Sequence, residues 1–187
     1  MKSKEFLTED ELENDEELQQ QIQLIQRDCQ PYIQQANGNT MYRGIKSNQN
    51  FMKKQSRLDD RRPLDSVRKN HDLFNKQFLQ KYGENFRNSV FTNGDTKIAK
   101  YYGDVYSVFP IGNFKFLWSP KVKDLGEQFT GKSSNLFLYA IQSLLYNDEH
   151  IVNHFIKEAD YRTTDLAAAI KSGNEIMIYC KEYYVLR

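Results

Sequence analysis

Glu175 stands where a turn becomes a core strand, and it is the acid in this chain best placed for chemistry. Ser172-Gly173-Asn174 is strong turn chemistry, because Gly and Asn tolerate positive φ. Ile176, Met177, Ile178, Tyr179 and Cys180 then form an unbroken apolar run, as in a strand covered on both faces. A carboxylate at the mouth of such a strand can be half buried, fixed by the sheet and turned toward a cleft. It is equally an ordinary solvated strand-start residue. Arg43, in the middle of Met41-Tyr42-Arg43-Gly44-Ile45, is the second candidate. A guanidinium inside a β segment needs a cleft, an anion or an ion pair with a nearby acid. Arg57, Arg61 and Arg62 stand beside Asp59 and Asp60, which suits phosphate binding or a self-paired charge run. His150 and His154 are spaced i, i+4 next to Glu149, but no third ligand is in reach, so no metal site is expected.

The elements that must position these groups follow from patterning. Thr8-Glu9-Asp10-Glu11 fits a capping box ahead of a Gln- and Glu-rich helix with a thin stripe of Leu12, Leu18, Ile22 and Ile25. Residues 1–36 are therefore expected as an acidic helical extension, either packed along one edge of the domain or acting as an arm toward a partner. Residues 37–187 form the main domain. A strand at 41–45 leads into a long loop over 46–66, and a helix capped by Asp65 or Ser66 runs to Tyr82, with Val67, Leu73, Phe74, Phe78 and Leu79 inward. A strand over 87–92, a short helix from Asn93 or Asp95 to Tyr102, and a hairpin of 105–109 with 114–118 follow. Helices at 136–146, 150–157 and 164–170 precede the strand at 176–180 and one after it. The class is α+β, a mixed β core flanked by helices.

Composition narrows the functions. The 187 residues suit one domain with or without an appendage, and 12 Phe with 12 Tyr supply an aromatic core although only 39% of the chain is hydrophobic. A net charge of +1 favours neither nucleic acid nor acidic partners overall. Residues 43–81 are locally basic and could hold nucleic acid or an acidic protein in a non-catalytic module. Cys29 and Cys180 have no metal or redox spacing, which implies free thiols in a reducing cytoplasm. No apolar run reaches the ~18 residues of a membrane span. Gly-rich phosphate loops, GxSxG and CxxC are absent from the sequence.

Three features fall in one order: Tyr42-Arg43-Gly44; Ser89-Val90-Phe91-Thr92-Asn93 leading to a helix with Ala99; and Asn174-Glu175-Ile176-Met177-Ile178. Together they resemble the Arg–Ser–Glu layout of the ADP-ribosyltransferase family, over roughly residues 40–186. The resemblance implies an ADP-ribosyltransferase-like fold and use of NAD as substrate. It implies that Arg43 and Gly44 bind the NAD phosphate or ribose and that Thr92, with Ser89 and Asn93, fills the serine-motif place. Glu175 would be the catalytic glutamate, with Phe91, Tyr101 or Tyr102 stacking on nicotinamide. The family's Ser-Thr-Ser is Phe91-Thr92-Asn93 here, and Gly173 stands where the first Glu of Glu-x-Glu would be. That points to an acceptor other than the arginine side chain, protein or nucleic acid, or to hydrolysis of NAD. The sequence has the style of a small effector or phage-type protein working in a host cytoplasm.

Overall fold

The computed structural model describes residues 9–59, 61, 68–125 and 149–187. The expected helix at 136–146, the Thr8 end of the capping box and the caps at Asp65 and Ser66 lie outside them. In chain order the elements are α1 (Glu9–Asp28), α2 (Gln30–Ala36), β1 (Met41–Ile45), β2 (Phe51–Gln55) and α3 (Arg68–Tyr82). A 3-10 turn at Phe86–Asn88 precedes β3 (Val90–Asn93), α4 (Thr96–Lys100), β4 (Asp104–Pro110) and β5 (Lys115–Trp118). The chain resumes with α5 (Glu149–Glu158), α6 (Leu166–Ser172), β6 (Glu175–Tyr179) and β7 (Glu182–Leu186). The architecture is α+β.

The seven strands among the described residues join in one antiparallel order, β2-β7-β4-β1-β3-β6-β5. Chain connectivity forces that sheet to fold over. Only Cys180 and Lys181 separate β6 from β7, and three Cα steps reach at most ~11 Å. In a flat sheet the two strands would stand four spacings apart, ~19 Å. The fold-over falls between β1 and β3, whose ladder is the single pair Tyr42↔Asn93. On either side pairing is fuller, with five pairs between β1 and β4 and four between β3 and β6.

Between the two half-sheets Met41, Tyr106, Val108 and Val185 share a buried cluster with Val90, Phe116, Ile176 and Ile178. Ile25 of α1, Tyr32 and Ala36 of α2 and Cys29 between them belong to the same cluster, so these helices pack on the sheet rather than standing apart from it. A second cluster joins Leu117 and Met177 to Phe74 and Phe78 of α3 and to Val152, Phe155 and Ile156 of α5.

Four expectations are corrected. The loop of 46–66 contains β2, which pairs along its whole length with β7. The strand expected from Arg87 starts at Val90, because residues 86–88 close a 3-10 turn with Ser89 N–H on the Phe86 carbonyl. β4 and β5 do not form a hairpin: β4 pairs with β1 and β7, and β5 with β6. Local alternation identifies strands but leaves their partners open, and the long-range partners won. On α3, Leu79 is 46% exposed, and the buried stripe instead runs through Asn70, His71, Phe74, Gln77 and Phe78.

Candidate active site

The backbone at Glu175 is pinned from several sides. Gly173 closes α6 at φ 67°, and its N–H bonds the Ile170 carbonyl at 3.2 Å. Asn174 Nδ2 donates to the Ser119 carbonyl at 2.8 Å, and Glu175 N–H to the Lys123 carbonyl at 2.7 Å. Across the ladder, Glu175 pairs with Asn93. The carboxylate is thus carried by a rigid strand start, with its side chain only 13% exposed.

Arg87 and Arg61 stand beside it, and Arg43 reaches the same strand, β3. Arg87 Nη1 lies 3.4 Å from Glu175 Oε1, and the Arg87 side chain is 6% exposed. The guanidinium carbons of Arg61 and Arg87 stand 3.9 and 4.8 Å from the centroid of the Phe91 ring. Arg43 Nη1 donates to the Phe91 carbonyl at 3.0 Å, and Arg61 Nη1 donates to the Ser89 carbonyl. Ser89 and Phe91 are two residues apart, so their carbonyls point the same way along the β3 edge. β1 leaves that edge after Tyr42↔Asn93. Guanidinium donors therefore occupy the edge that a paired strand would otherwise fill, which satisfies buried carbonyls and concentrates positive charge in the split.

The electrostatics follow. Burial pushes the Glu175 carboxyl up to about 7, since removing a carboxylate from water outweighs the attraction of Arg87; Asp124 pushes further the same way and Arg61 opposes it. At 3.4 Å the Arg87 contact is longer than a strong charge-assisted bond of ~2.7–2.9 Å, which fits that ordering. Burial also lowers Arg61 to about 10, with repulsion from Arg43 and Arg87 adding to it. Among the described residues the buried Tyr161 hydroxyl has no hydrogen-bond partner, and burial followed by the nearby Glu175 charge holds its pKa far above that of free tyrosine.

Among the residues expected from sequence, Arg43, Phe91 and Glu175 are brought together. The Phe91 ring packs under guanidinium groups, so it supports Arg61 and Arg87 rather than offering itself as a stacking surface. Thr92 lies on the opposite face of β3, 4% exposed, donating to the Ile176 carbonyl at 3.2 Å and approaching Met41 Sδ at 3.4 Å. Ser89 is also turned inward and donates to the Phe86 carbonyl at 2.6 Å. Asn93 Nδ2 donates to the Gly173 carbonyl at 2.8 Å, and its Oδ1 accepts from Asp95 N–H at 2.6 Å. The first bond ties β3 to the turn that presents Glu175, and the second closes the turn into α4. Gly44 is filled from above by α4, since a Cβ there would collide with the Ala99 carbonyl oxygen. Tyr101 and Tyr102 face solvent after α4, 86% and 55% exposed.

Sequence reasoning missed Arg87 as a site residue and left Arg61 undecided. The available signal was Phe86-Arg87-Asn88-Ser89, a cation placed immediately before a core strand. The basic stretch 43–81 does not keep its charges on one face: Arg43 and Arg61 turn inward, while Lys53 pairs with Glu182 at 2.9 Å, Arg68 with Asp72 at 3.7 Å, and Lys76 with Glu149. Among the described residues, no helix is long and apolar enough to cross a membrane. No family model, no curated protein and no solved structure matches the chain significantly.

Proposed function

We propose that this chain cleaves the nicotinamide–ribose bond of NAD and passes ADP-ribose to a macromolecular acceptor, as an ADP-ribosyltransferase. The observation that carries this reading is a strand-fixed Glu175 carboxylate beside Arg87, with Arg61 sharing the Phe91 ring with Arg87 and Arg43 bonded to the neighbouring split sheet edge. NAD matches both signs of that cluster. Its pyrophosphate is a doubly charged anion suited to arginine forks. As the glycosidic bond breaks, its electron pair leaves with nicotinamide and positive charge grows on the ribose, as in glycoside hydrolysis. Glu175, once deprotonated, is a fixed anion in a poorly solvated place, where it stabilises that developing charge more strongly than a carboxylate in water would. The acceptor's nucleophile, or water, then bonds to the ribose carbon and loses its proton. Arg43 and Arg61 serve the pyrophosphate, and Arg87 holds Glu175 in place. Asn93 fixes the turn ahead of Glu175, and Thr92 braces the β3–β6 ladder from behind.

The deciding experiment is nicotinamide release from NAD by purified protein, wild type beside Glu175→Gln, with and without cell lysate. Release that vanishes in the variant supports the reading, and dependence on lysate identifies transfer rather than hydrolysis. No release and no NAD binding by the wild type overturns it.

A further inference from the structure

Among the described residues the most exposed aromatic side chains lie on the corner between α4 and β4. Tyr101 is 86% exposed and Tyr102 55%, two adjacent rings on one corner. Ordinary solvent-facing loops do not hold bulky aromatics so firmly. Gly44 lies against the backbone of Ala99, Tyr102 and Gly103 so closely that a Cβ would collide with it. Gly103, at φ 146°, packs its own backbone on Ile45. Two glycines thus clamp the corner to β1, and the aromatic pair is held outward on a fixed support.

The surroundings are cationic. Lys97, Lys100 and Tyr101 follow the i, i+3, i+4 spacing, which puts them on one solvent face of α4 and the residue that caps its C-terminus. Lys100 and Lys46 line the same open depression of about 530 Å³, with Ser47, Asn48, Gly103 and Asp104. Asp104 is the acid there, and it is shared between Lys100 at 3.6 Å and Arg187 at 3.7 Å. Lys46, Lys97, Lys100 and Arg187 outnumber Asp104 and the α4-capping Asp95, leaving an excess of positive charge beside the rings.

We propose that the Tyr101–Tyr102 corner, with Lys46, Lys97 and Lys100, is a docking surface for single-stranded nucleic acid. Rigid exposed rings take stacked bases regardless of sequence, and flanking lysines track the phosphates. An acidic peptide would use the lysines but would leave the two aromatic faces without a matching group. This surface is built by α4 and β1 and stands independently of the NAD reading.

The test uses full-length protein without NAD. Binding of a fluorescein-labelled 20-mer oligo(U) is followed by anisotropy at several salt concentrations, beside a labelled polyglutamate peptide. The wild type is expected to bind the oligonucleotide, and Tyr101→Ala/Tyr102→Ala is expected to weaken it about ten-fold or more. Lys97→Gln/Lys100→Gln, whose side chains are exposed, should lower the slope of log affinity against log salt by about 1.4, the value for two lost phosphate contacts on a single strand. Absence of oligonucleotide binding, equal binding by the tyrosine variant, or preference for polyglutamate overturns the proposal. Circular dichroism of each variant checks that the fold is retained, and the lysine pair decides the question if the tyrosine variant is misfolded.

Discussion

Replacing Glu175 by Gln removes one proton-binding group from a site where burial and an ion pair oppose each other, so the pH dependence of stability reports which effect wins. In the native protein the carboxyl is raised from 4.5 to about 7, with desolvation the largest cause. A group with a raised native pKa stabilises the fold in its protonated form. Its contribution is complete below pH 4.5, declines as pH rises, and is lost above about 7. At about 1.4 kcal/mol per unit of pKa, the whole swing is about 3 kcal/mol. The steepest loss falls between pH 5 and 6.5, where the unfolded chain is ionised and the native carboxyl still holds its proton. His71 contributes with the opposite sign, because burial lowers its pKa and native stability then rises with pH. It is common to both proteins and cancels in their difference. Urea unfolding of wild type and Glu175→Gln from pH 4.5 to 8 should show the difference moving toward the variant by about 3 kcal/mol. A flat difference would mean that Glu175 has an ordinary pKa. A difference moving toward the wild type would mean that Arg87 outweighs burial.

Further outcomes follow from the same geometry. Arg87→Met should raise the Glu175 pKa beyond about 7, since Arg87 is the main group lowering it; an NMR titration of the carboxyl carbon that shows no rise would remove Arg87 from this role. If the Glu175 carboxylate is the working form, nicotinamide release should increase with pH through about 7, and a rate that falls over that range would assign catalysis to another group. Gly94→Ala should destabilise by about 1–3 kcal/mol, because its Cβ would strike the Ile170 carbonyl, which belongs to a packed helix; unchanged urea unfolding would show that α6 yields freely. Tyr106→Phe should lose about 0.5–1.5 kcal/mol, as its single hydroxyl proton is shared between the carbonyls of Gln49 at 2.6 Å and Ser47 at 3.1 Å, which shape the β1–β2 connection. Equal midpoints for the two proteins would contradict that assignment.

Sequence alone determined the local elements whose chemistry is local. Turn residues and apolar runs placed β1, α3, α4 and β6 within a few residues, and Gly83 and Gly173 ended their helices as positive-φ residues should. The same logic marked Glu175 and Arg43, because each is a charge at odds with its strand. Tertiary structure decided everything that depends on partners. It paired β5 with β6 instead of β4, inserted β2 beside β7 although its Lys53-Lys54 carries no strand signal, and folded the sheet between β1 and β3. That fold-over brings Arg61 and Arg87, 26 residues apart, onto one phenylalanine ring beside Glu175. Side-chain alternation could not reveal it, because the carbonyls that Arg43 and Arg61 meet are exposed only where a ladder stops. Where a ladder stops is set by the competition among all seven strands for neighbours, which no single segment encodes.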